Sequence, residues 1–227
     1  MFLRLTGRGA VSVPDELRGI FRQSQTGREP IPGTFRLNGD FTLETFRKDL
    51  QQPHKQVVHI ATHFDSRPGV AANSRLLLGD GRELSLADIE AAEQLFANVD
   101  VVTLSACSTA FTNQNEDGRE VDSFGTIAQR LGAKSVIASL WNVSDPATAS
   151  LMAALYRFRQ QSPAIGKAEA LRLAQEQMAT GNLSPNSGSN SGSGTDRAKN
   201  TGKGAEPLPG WTHPYYWAAF ILIGNGR

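Results

Sequence analysis

Two residues with the chemistry of a hydrolase follow two apolar segments of this chain. His63 comes directly after the β-branched segment 56–62, and Cys107 comes after the similar segment 99–105. In an open parallel sheet, catalytic groups lie outside the carboxyl ends of the strands. Neighbouring strands are about 4.8 Å apart, and the chain between the two residues is long enough for a strand–helix–strand crossover. The spacing therefore predicts an imidazole within reach of a thiol, as in a cysteine–histidine hydrolase.

The same residue types also have plainer interpretations. A free cysteine is usually a small buried hydrophobe, and His59, inside the first segment, fits a core histidine with satisfied hydrogen bonds. His59 and His63 would share a face of a helix, but four strand residues span about 13 Å, so the pair cannot share one metal ion. The segment also lacks the glutamate of a zinc-protease helix. We therefore predict no metal site, and we place His54 and His213, each beside a proline, in loops.

The segments that must position these residues alternate between strand-like and helix-like patterns. Three short β-branched runs suit strands buried on both faces, and they are 56–62, 99–105 and 134–140. Periodicity, caps and stop signals predict helices over 42–50, 86–95, 123–131, 146–159 and 165–179. Such alternation requires crossover connections. The predicted fold class is α/β, with a mostly parallel sheet and helices on both faces. Residues 1–12 receive no assignment.

Two residues after the third predicted strand bear on substrate binding. Trp141 is either a core residue or the wall of a pocket at the end of the sheet. Asp145 fits an N-cap with Pro146 at the first helical position, and such a cap stabilises a helix by about 1 kcal/mol. Because Asp145 also lies at the carboxyl-end rim, its carboxylate could hold a basic substrate side chain. The acidic stretch 117–122 is another candidate for that role, or a solvated loop face.

Composition and charge exclude several other functions. The chain has 227 residues, with 23 Lys+Arg, 22 Asp+Glu and one cysteine, and a formal net charge of +1. This balance gives no electrostatic case for nucleic acid or an anionic membrane as a partner. One cysteine excludes an internal disulfide and a multi-cysteine zinc site. No stretch approaches the roughly 18 apolar residues of a membrane span, and the N-terminus lacks the apolar run of a signal peptide, so we expect a cytoplasmic protein.

One segment differs from the rest in composition. Residues 184–206 are rich in Ser, Gly and Asn, and their only apolar side chains are Ala198 and Ala205. Such a segment cannot bury enough surface to offset the entropy of ordering it, so we predict a flexible loop. The dense apolar run 215–224 follows and must return to the core as a strand. The loop is therefore an insertion within a single domain that spans 1–227.

Several segments, in this order along the chain, carry a family resemblance. They are 59–64 (HIATHF), 76–81 (LLLGDG), 103–110 (TLSACSTA), 132–143 (GAKSVIASLWNV), 168–175 (AEALRLAQ) and 213–220 (HPYYWAAF). Together they resemble the CHAT family, caspase-like peptidase domains that are often attached to tetratricopeptide repeats. The resemblance covers about residues 15–224, apart from the loop.

The resemblance implies a caspase-like three-layer sandwich, related to separases and gingipains, and a cysteine endopeptidase that needs no cofactor. The family's histidine and cysteine positions fall on His63 and Cys107. An oxyanion hole is also implied, made by the backbone N–H of Cys107 and one near Phe64. Caspases have glycine after the histidine, so the Phe64 side chain would narrow the pocket or require a different backbone angle.

The departures from the family bear on partners and on activity. The repeats are absent, which implies a repeat region or a regulatory partner outside this chain, besides a protein or peptide substrate. The usual first strand is weak, and if an edge strand is missing, activity could depend on a partner segment. A cysteine endopeptidase is the first interpretation, because His63 and Cys107 are both present. The alternatives are a catalytically silent interaction or scaffold module and a small-molecule cysteine hydrolase.

Overall fold

The computed structural model describes residues 2–6, 33–52, 57–65, 74–105, 119–183 and 210–227. His54, Cys107 and the predicted loop 184–206 lie outside these ranges. The strands within them are β1 (Phe2–Thr6), β2 (Gly33–Arg36), β3 (Val57–Ala61), β4 (Phe64–Asp65), β5 (Arg75–Leu77), β6 (Glu83–Ser85), β7 (Val101–Leu104), β8 (Ser135–Ser139) and β9 (Phe220–Gly224). The α-helices are α1 (Leu43–Leu50), α2 (Leu86–Glu90), α3 (Arg119–Arg130), α4 (Asp145–Gln161), α5 (Lys167–Ala179) and α6 (Pro214–Trp217). Within these ranges, no helix has both the length and the apolar character that crossing a bilayer requires.

The main sheet has the strand order β2-β1-β3-β7-β8-β9. Every neighbouring pair is parallel except β8 and β9, which run antiparallel. The α/β class and the mostly parallel sheet are therefore confirmed. The sequence analysis did not assign β1, a five-residue strand whose place is set by pairing on both sides with β2 and β3. The weak first strand is thus present, in the second position of the sheet.

Side chains of the sheet divide between two hydrophobic clusters. Val58 and Ile60 of β3 join a cluster with residues of α1, α2 and α3, among them Phe46. Val57 of the same strand joins the other cluster, which contains residues of α4, α5 and α6, among them Leu151. Successive residues of a strand point to opposite faces of a sheet. The two clusters therefore lie on opposite sides of β3, and each is closed by its own set of helices.

A small antiparallel sheet with the order β4-β5-β6 follows the end of β3. In it Phe64 pairs with Leu76 and Asp65 pairs with Arg75. The small sheet connects to α2 through Ser85, which ends β6 and caps that helix. The small sheet therefore begins directly after His63, and its pairing fixes the segment that follows β3.

Local capping explains where the helices begin. Thr42 caps α1 and Ser85 caps α2, each through a reciprocal pair of hydrogen bonds with the third helical residue. The prediction that Asp145 is an N-cap is wrong by one residue. Asp145 is the first residue of α4, and the N-cap is Ser144, whose side chain makes no capping hydrogen bond. An acidic side chain is still favoured there, because it lies in the first turn at the positive end of the helix dipole.

An ion cluster ties the amino end of β7 to α4 and α5. The carboxylate of Asp100 accepts hydrogen bonds from Lys167 at 2.9 Å and from Arg159 at 3.2 Å. The Lys167 side chain is 2% exposed, so its charge depends on this carboxylate for compensation. Burial acts to raise the pKa of Asp100, but the hydrogen bonds and charges of Lys167 and Arg159 outweigh it, and the pKa is lowered.

The apolar run 215–224 forms two elements and not one strand. His213 lies outside the helix and caps α6, because its Nδ1 accepts the Tyr215 N–H at 3.2 Å. Pro214 occupies the first turn, where its fixed φ suits a helix. The strand is therefore limited to β9, which pairs with β8 along its whole length, from Phe220 to Gly224.

Candidate functional site

The carboxyl ends of β3, β7 and β8 lie side by side in the main sheet. The β3 residues 57–60 pair with the residues 44 positions later in β7, and the β7 residues 102–104 pair with the residues 34 positions later in β8. The pairing of β3 with β7 continues one step further, because the Ser105 N–H donates to the Ile60 carbonyl at 2.8 Å. The sequence predicts the site at this edge.

His63 stands at this edge, two residues past β3, and its side chain is half-buried. Its backbone is held by β5, since the His63 carbonyl accepts the Leu77 N–H at 2.9 Å. The hydroxyl of the buried Thr62 donates to the Leu77 carbonyl at 2.6 Å. The N–H and the carbonyl of Leu77 therefore both bind the segment 62–63, which fixes the backbone that carries the imidazole at the carboxyl edge.

Cys107 lies outside the described residues. The last described residue before it is Ser105, two positions earlier, which is bonded to β3 as stated above. The juxtaposition of His63 with Cys107 therefore stays a prediction.

The side chain of Phe64 lies in the core. It is 6% exposed, and its ring meets the edge of Phe124 with the centroids 6.4 Å apart. Among the described residues other than glycine, a positive φ occurs only at Asn38 and Gln94. The Phe64 backbone therefore lies outside the left-handed region that glycine favours, in agreement with the expected difference in backbone angle. The effect of its side chain on the pocket stays a prediction.

The direction of the Phe64 N–H follows from the pairing of β4 with β5. In an antiparallel pair, hydrogen-bonded and non-hydrogen-bonded positions alternate. The bond from Leu77 to His63 marks that pair as hydrogen-bonded, so the neighbouring pair of Phe64 and Leu76 is non-hydrogen-bonded. The Phe64 N–H therefore points away from β5.

His59 is a core residue with a satisfied hydrogen bond, as predicted. It is 1% exposed, and its Nδ1 lies 2.9 Å from the hydroxyl of Tyr156 on α4. That hydroxyl donates to the Thr103 hydroxyl at 2.8 Å, and Thr103 is the register partner of His59 in β7. The sequence analysis identified neither Tyr156 nor Thr103, because the contact joins residues 97 positions apart. Among the described residues, no three His, Cys, Asp or Glu side chains converge on a point that could hold a metal ion.

An aromatic pair stands beyond the end of β8. Trp141 is 37% exposed and Tyr215 is 47% exposed, and they are the exposed large hydrophobic residues of the described ranges. The indole N–H of Trp141 donates to the Tyr215 carbonyl at 2.9 Å, and the Tyr215 hydroxyl donates to the Asn142 carbonyl at 2.6 Å. Trp141 is therefore not a core residue. The sequence analysis did not single out Tyr215, because its dense apolar run predicts burial.

Asp145 also lies beyond β8, in the first turn of α4, with its side chain half-buried. The structure thus places His63, Trp141 and Asp145 after the carboxyl ends of neighbouring or next-neighbouring strands. This arrangement offers one titratable imidazole, one carboxylate and one aromatic surface at a single edge of the sheet.

A mostly parallel sheet with helices packed on it defines the α/β class, in which sites lie at the carboxyl edge where His63 stands. Residues 6–225 match the CHAT domain family. The match spans nearly the whole chain, so the chain belongs to the CHAT family, and the resemblance seen in the sequence is confirmed. At the level of the family, membership indicates a caspase-like cysteine peptidase fold. A search among curated proteins found no match.

Proposed function

We propose that this chain is a cysteine endopeptidase that hydrolyses peptide bonds in a protein substrate, with His63 and Cys107 as its dyad. The register of β3 against β7 is the observation that supports this most. The β3 residues 57–60 pair with the residues 44 positions later, and Cys107 follows His63 by the same interval. We propose that this register continues two residues beyond Ala61 and Ser105, which would bring the imidazole and the thiol into one row.

Chain geometry supports a short distance between the two groups. Two residues span at most about 7 Å, so Cys107 stays within that reach of Ser105, which is bonded to β3. Row neighbours in parallel strands are about 4.8 Å apart. If the alternation of β3 and β7 continues past their ends, His63 falls on the face of His59 and Cys107 on the face of Thr103. His59 and Thr103 themselves meet through one tyrosine.

The chemistry follows from this pair. The His63 imidazole accepts the Cys107 Sγ proton, and the thiolate attacks the carbonyl carbon of the scissile bond. The tetrahedral intermediate breaks its C–N bond while His63 returns the proton to the leaving amine, and a thioester remains. His63 then deprotonates a water molecule, which attacks the thioester. Cleavage of the C–S bond releases the acid product and regenerates the dyad with its proton.

The Phe64 N–H is our candidate for one donor to the oxyanion, beside the N–H of Cys107. It is the peptide group that follows the histidine, it points away from β5, and its side chain is anchored in the core. A donor on a fixed backbone needs no reorganisation as negative charge develops, and one such donor contributes about 10²–10³ in kcat. The buried ring of Phe64 thus serves to hold the adjacent peptide in place.

We also propose the fold around the dyad, a role for Asp145 in substrate binding, the cellular compartment and a source of control. The two hydrophobic clusters on opposite sides of β3 support a caspase-like three-layer sandwich. Asp145 in the first turn of α4 is proposed to hold a basic side chain of the substrate. A reducing cytoplasm suits a thiolate nucleophile, and a repeat region or regulatory partner outside the chain is the proposed source of control.

The test compares the wild-type chain with Cys107→Ala and His63→Ala. Cleavage of a peptide library is followed by mass spectrometry, and labelling of the thiol by a peptidyl acyloxymethyl ketone is followed by intact mass. Because the chain has one cysteine, any labelled thiol is Cys107. We expect no cleavage by the cysteine variant, and a loss of about 100-fold or more in both rates without the histidine. Arg172→Ala, which removes a side chain that is 57% exposed on α5, is the control and should retain both rates.

The outcomes separate the candidate functions. Equal labelling rates in the wild type and in His63→Ala would contradict an activated dyad. Cleavage that persists in Cys107→Ala would contradict the nucleophile. A wild-type chain that cleaves no peptide would favour the silent scaffold module, and an unchanged preference at basic residues in Asp145→Asn would remove the role of that carboxylate.

A further inference from the structure

The aromatic pair Trp141 and Tyr215 lies beyond the carboxyl end of β8, the neighbour of the strand that leads to the proposed nucleophile. The β7 residues 102–104 pair with the β8 residues 34 positions later, and Trp141 follows Cys107 by the same interval in the sequence. The line of β8 continues past its last residue, because the Leu140 N–H donates to the Ala219 carbonyl at 2.8 Å. His63 and Trp141 therefore each stand two residues past the end of a strand, β3 and β8, and these two strands flank β7. Cys107 follows β7 in the sequence.

The pair is exposed, yet it is held in a fixed arrangement. The polar atom of each ring is used inside the protein: the indole N–H of Trp141 by the Tyr215 carbonyl and the Tyr215 hydroxyl by the Asn142 carbonyl. The Tyr215 ring also meets Tyr216 edge to face, with the centroids 5.3 Å apart. Each side chain is thus hydrogen-bonded to the backbone of the segment that carries the other. Because both rings are already fixed, ligand binding does not have to offset the entropy of ordering them.

The surface that this pair offers is mostly carbon. Because the indole N–H and the phenol O–H are both donated inside the protein, a ligand meets ring faces and edges and no free donor, and the Tyr215 oxygen can act only as an acceptor. Exposed aromatic side chains of this size bind ligands by removing apolar area from water. A polar or small side chain gains little on such a surface, whereas a large apolar one gains from the whole contact.

We infer that Trp141 and Tyr215 form an apolar wall that binds a large apolar or aromatic side chain of the peptide substrate, close to the bond that is cut. The inference rests on the proposed peptidase function. It assigns this wall a role separate from that of Asp145, which is proposed to hold a basic side chain. The substrate class is therefore a peptide with a bulky apolar residue at one position near the scissile bond.

The experiment measures cleavage selectivity with the full chain. Peptides that differ at one position, Leu or Phe against Ala, are compared by kcat/KM at each position around the cut. We expect the wild type to prefer the large residue by about tenfold at one position. Trp141→Ala should reduce this preference to about twofold, and Trp141→Phe, which keeps a ring but loses the N–H donor, should retain most of it. Phe158→Ala is the matched control, since it removes a half-buried aromatic ring from the last turns of α4, and it should leave the preference unchanged.

A structural role for Trp141 predicts a different result. It would lower kcat/KM for all peptides alike and leave the ratio between Phe and Ala peptides as in the wild type. An unchanged ratio in Trp141→Ala would therefore overturn the wall while the peptidase stands. A wild-type ratio near one at every position would overturn it as well. A wild-type chain that cleaves nothing would overturn the peptidase and the wall together.

Discussion

Removing the Tyr156 hydroxyl tests how the two central strands are joined to α4. The hydroxyl lies 2.9 Å from His59 Nδ1 and donates to the Thr103 hydroxyl at 2.8 Å. All three side chains are buried. Tyr156→Phe keeps the ring, and so keeps the packing of α4, but takes a hydrogen-bond partner from one polar atom on each strand.

The magnitude follows from those two atoms. A buried polar group that loses its partner costs about 1–3 kcal/mol. His59 and Thr103 are register partners on neighbouring strands, so a direct contact between them can recover part of this cost. We therefore expect Tyr156→Phe to lower the free energy of unfolding by about 2–4 kcal/mol. That is a large share of the roughly 5–15 kcal/mol of a typical domain.

Urea denaturation at pH 7, followed by circular dichroism, measures the effect. The matched control is Tyr215→Phe, which removes one hydrogen bond from an exposed residue and should cost less than about 1 kcal/mol. Thr103→Val closes a double-mutant cycle with Tyr156→Phe, and a coupling energy above about 0.5 kcal/mol is expected. A loss in unfolding free energy below about 0.5 kcal/mol for Tyr156→Phe would contradict the hydrogen-bonded link between the two strands and α4. Strict additivity of the two substitutions would contradict it as well.

Two further predictions concern stability. Because the folded-state pKa of Asp100 is lowered by Lys167, the stabilisation by this carboxylate is present above its unfolded pKa of about 4 and is lost as the pH falls through the folded value. Asp100→Asn should lower the free energy of unfolding by about 2 kcal/mol at pH 7. In urea titrations, the difference in unfolding free energy between this variant and the wild type should shrink below about pH 4. A difference that persists to pH 2 would contradict the stabilising role of the ion cluster. Gly132 has a φ of +106°, and a Cβ there would lie 2.6 Å from the Ala97 Cα, so Gly132→Ala should cost more than about 2 kcal/mol. The loss is measured by thermal denaturation, with Gly39→Ala as the control, because a Cβ there meets nothing within 4 Å. Equal losses of stability in the two variants would contradict the steric argument.

Much of the fold could be predicted from local patterns. The β-branched runs that form β3, β7 and β8 carry apolar residues on both faces, which is typical of a strand buried between two layers. Ser85 before α2 is a cap whose effect is local, so the start of that helix was predictable. β1 was not, because five residues without a turn signal or a sustained pattern acquire their identity only from β2 and β3 on either side.

The candidate site divides in the same way. The position of His63 after a strand follows from the sequence, whereas the burial of Phe64 and the exposure of Trp141 do not. Phe64 is buried because β4 turns it toward Phe124 on α3, and Trp141 is exposed because the Tyr215 carbonyl engages its indole at the surface. Both results depend on elements more than fifty residues away in the chain.

The amino-acid sequence shows which chemistry is available: one thiol, an imidazole at the end of a strand, and segments typical of an α/β sheet. The register, in contrast, follows only from the paired strands, in which β3 and β7 residues 44 positions apart and β7 and β8 residues 34 positions apart lie side by side. A slip of one residue would move every side chain to the other face of the sheet. The helices packed on each face and the hydrogen bonds between strands prevent such a slip, and these contacts are distant in sequence. For that reason the placement of His63 and Trp141 on the two strands that flank β7 becomes visible only once the strands are paired.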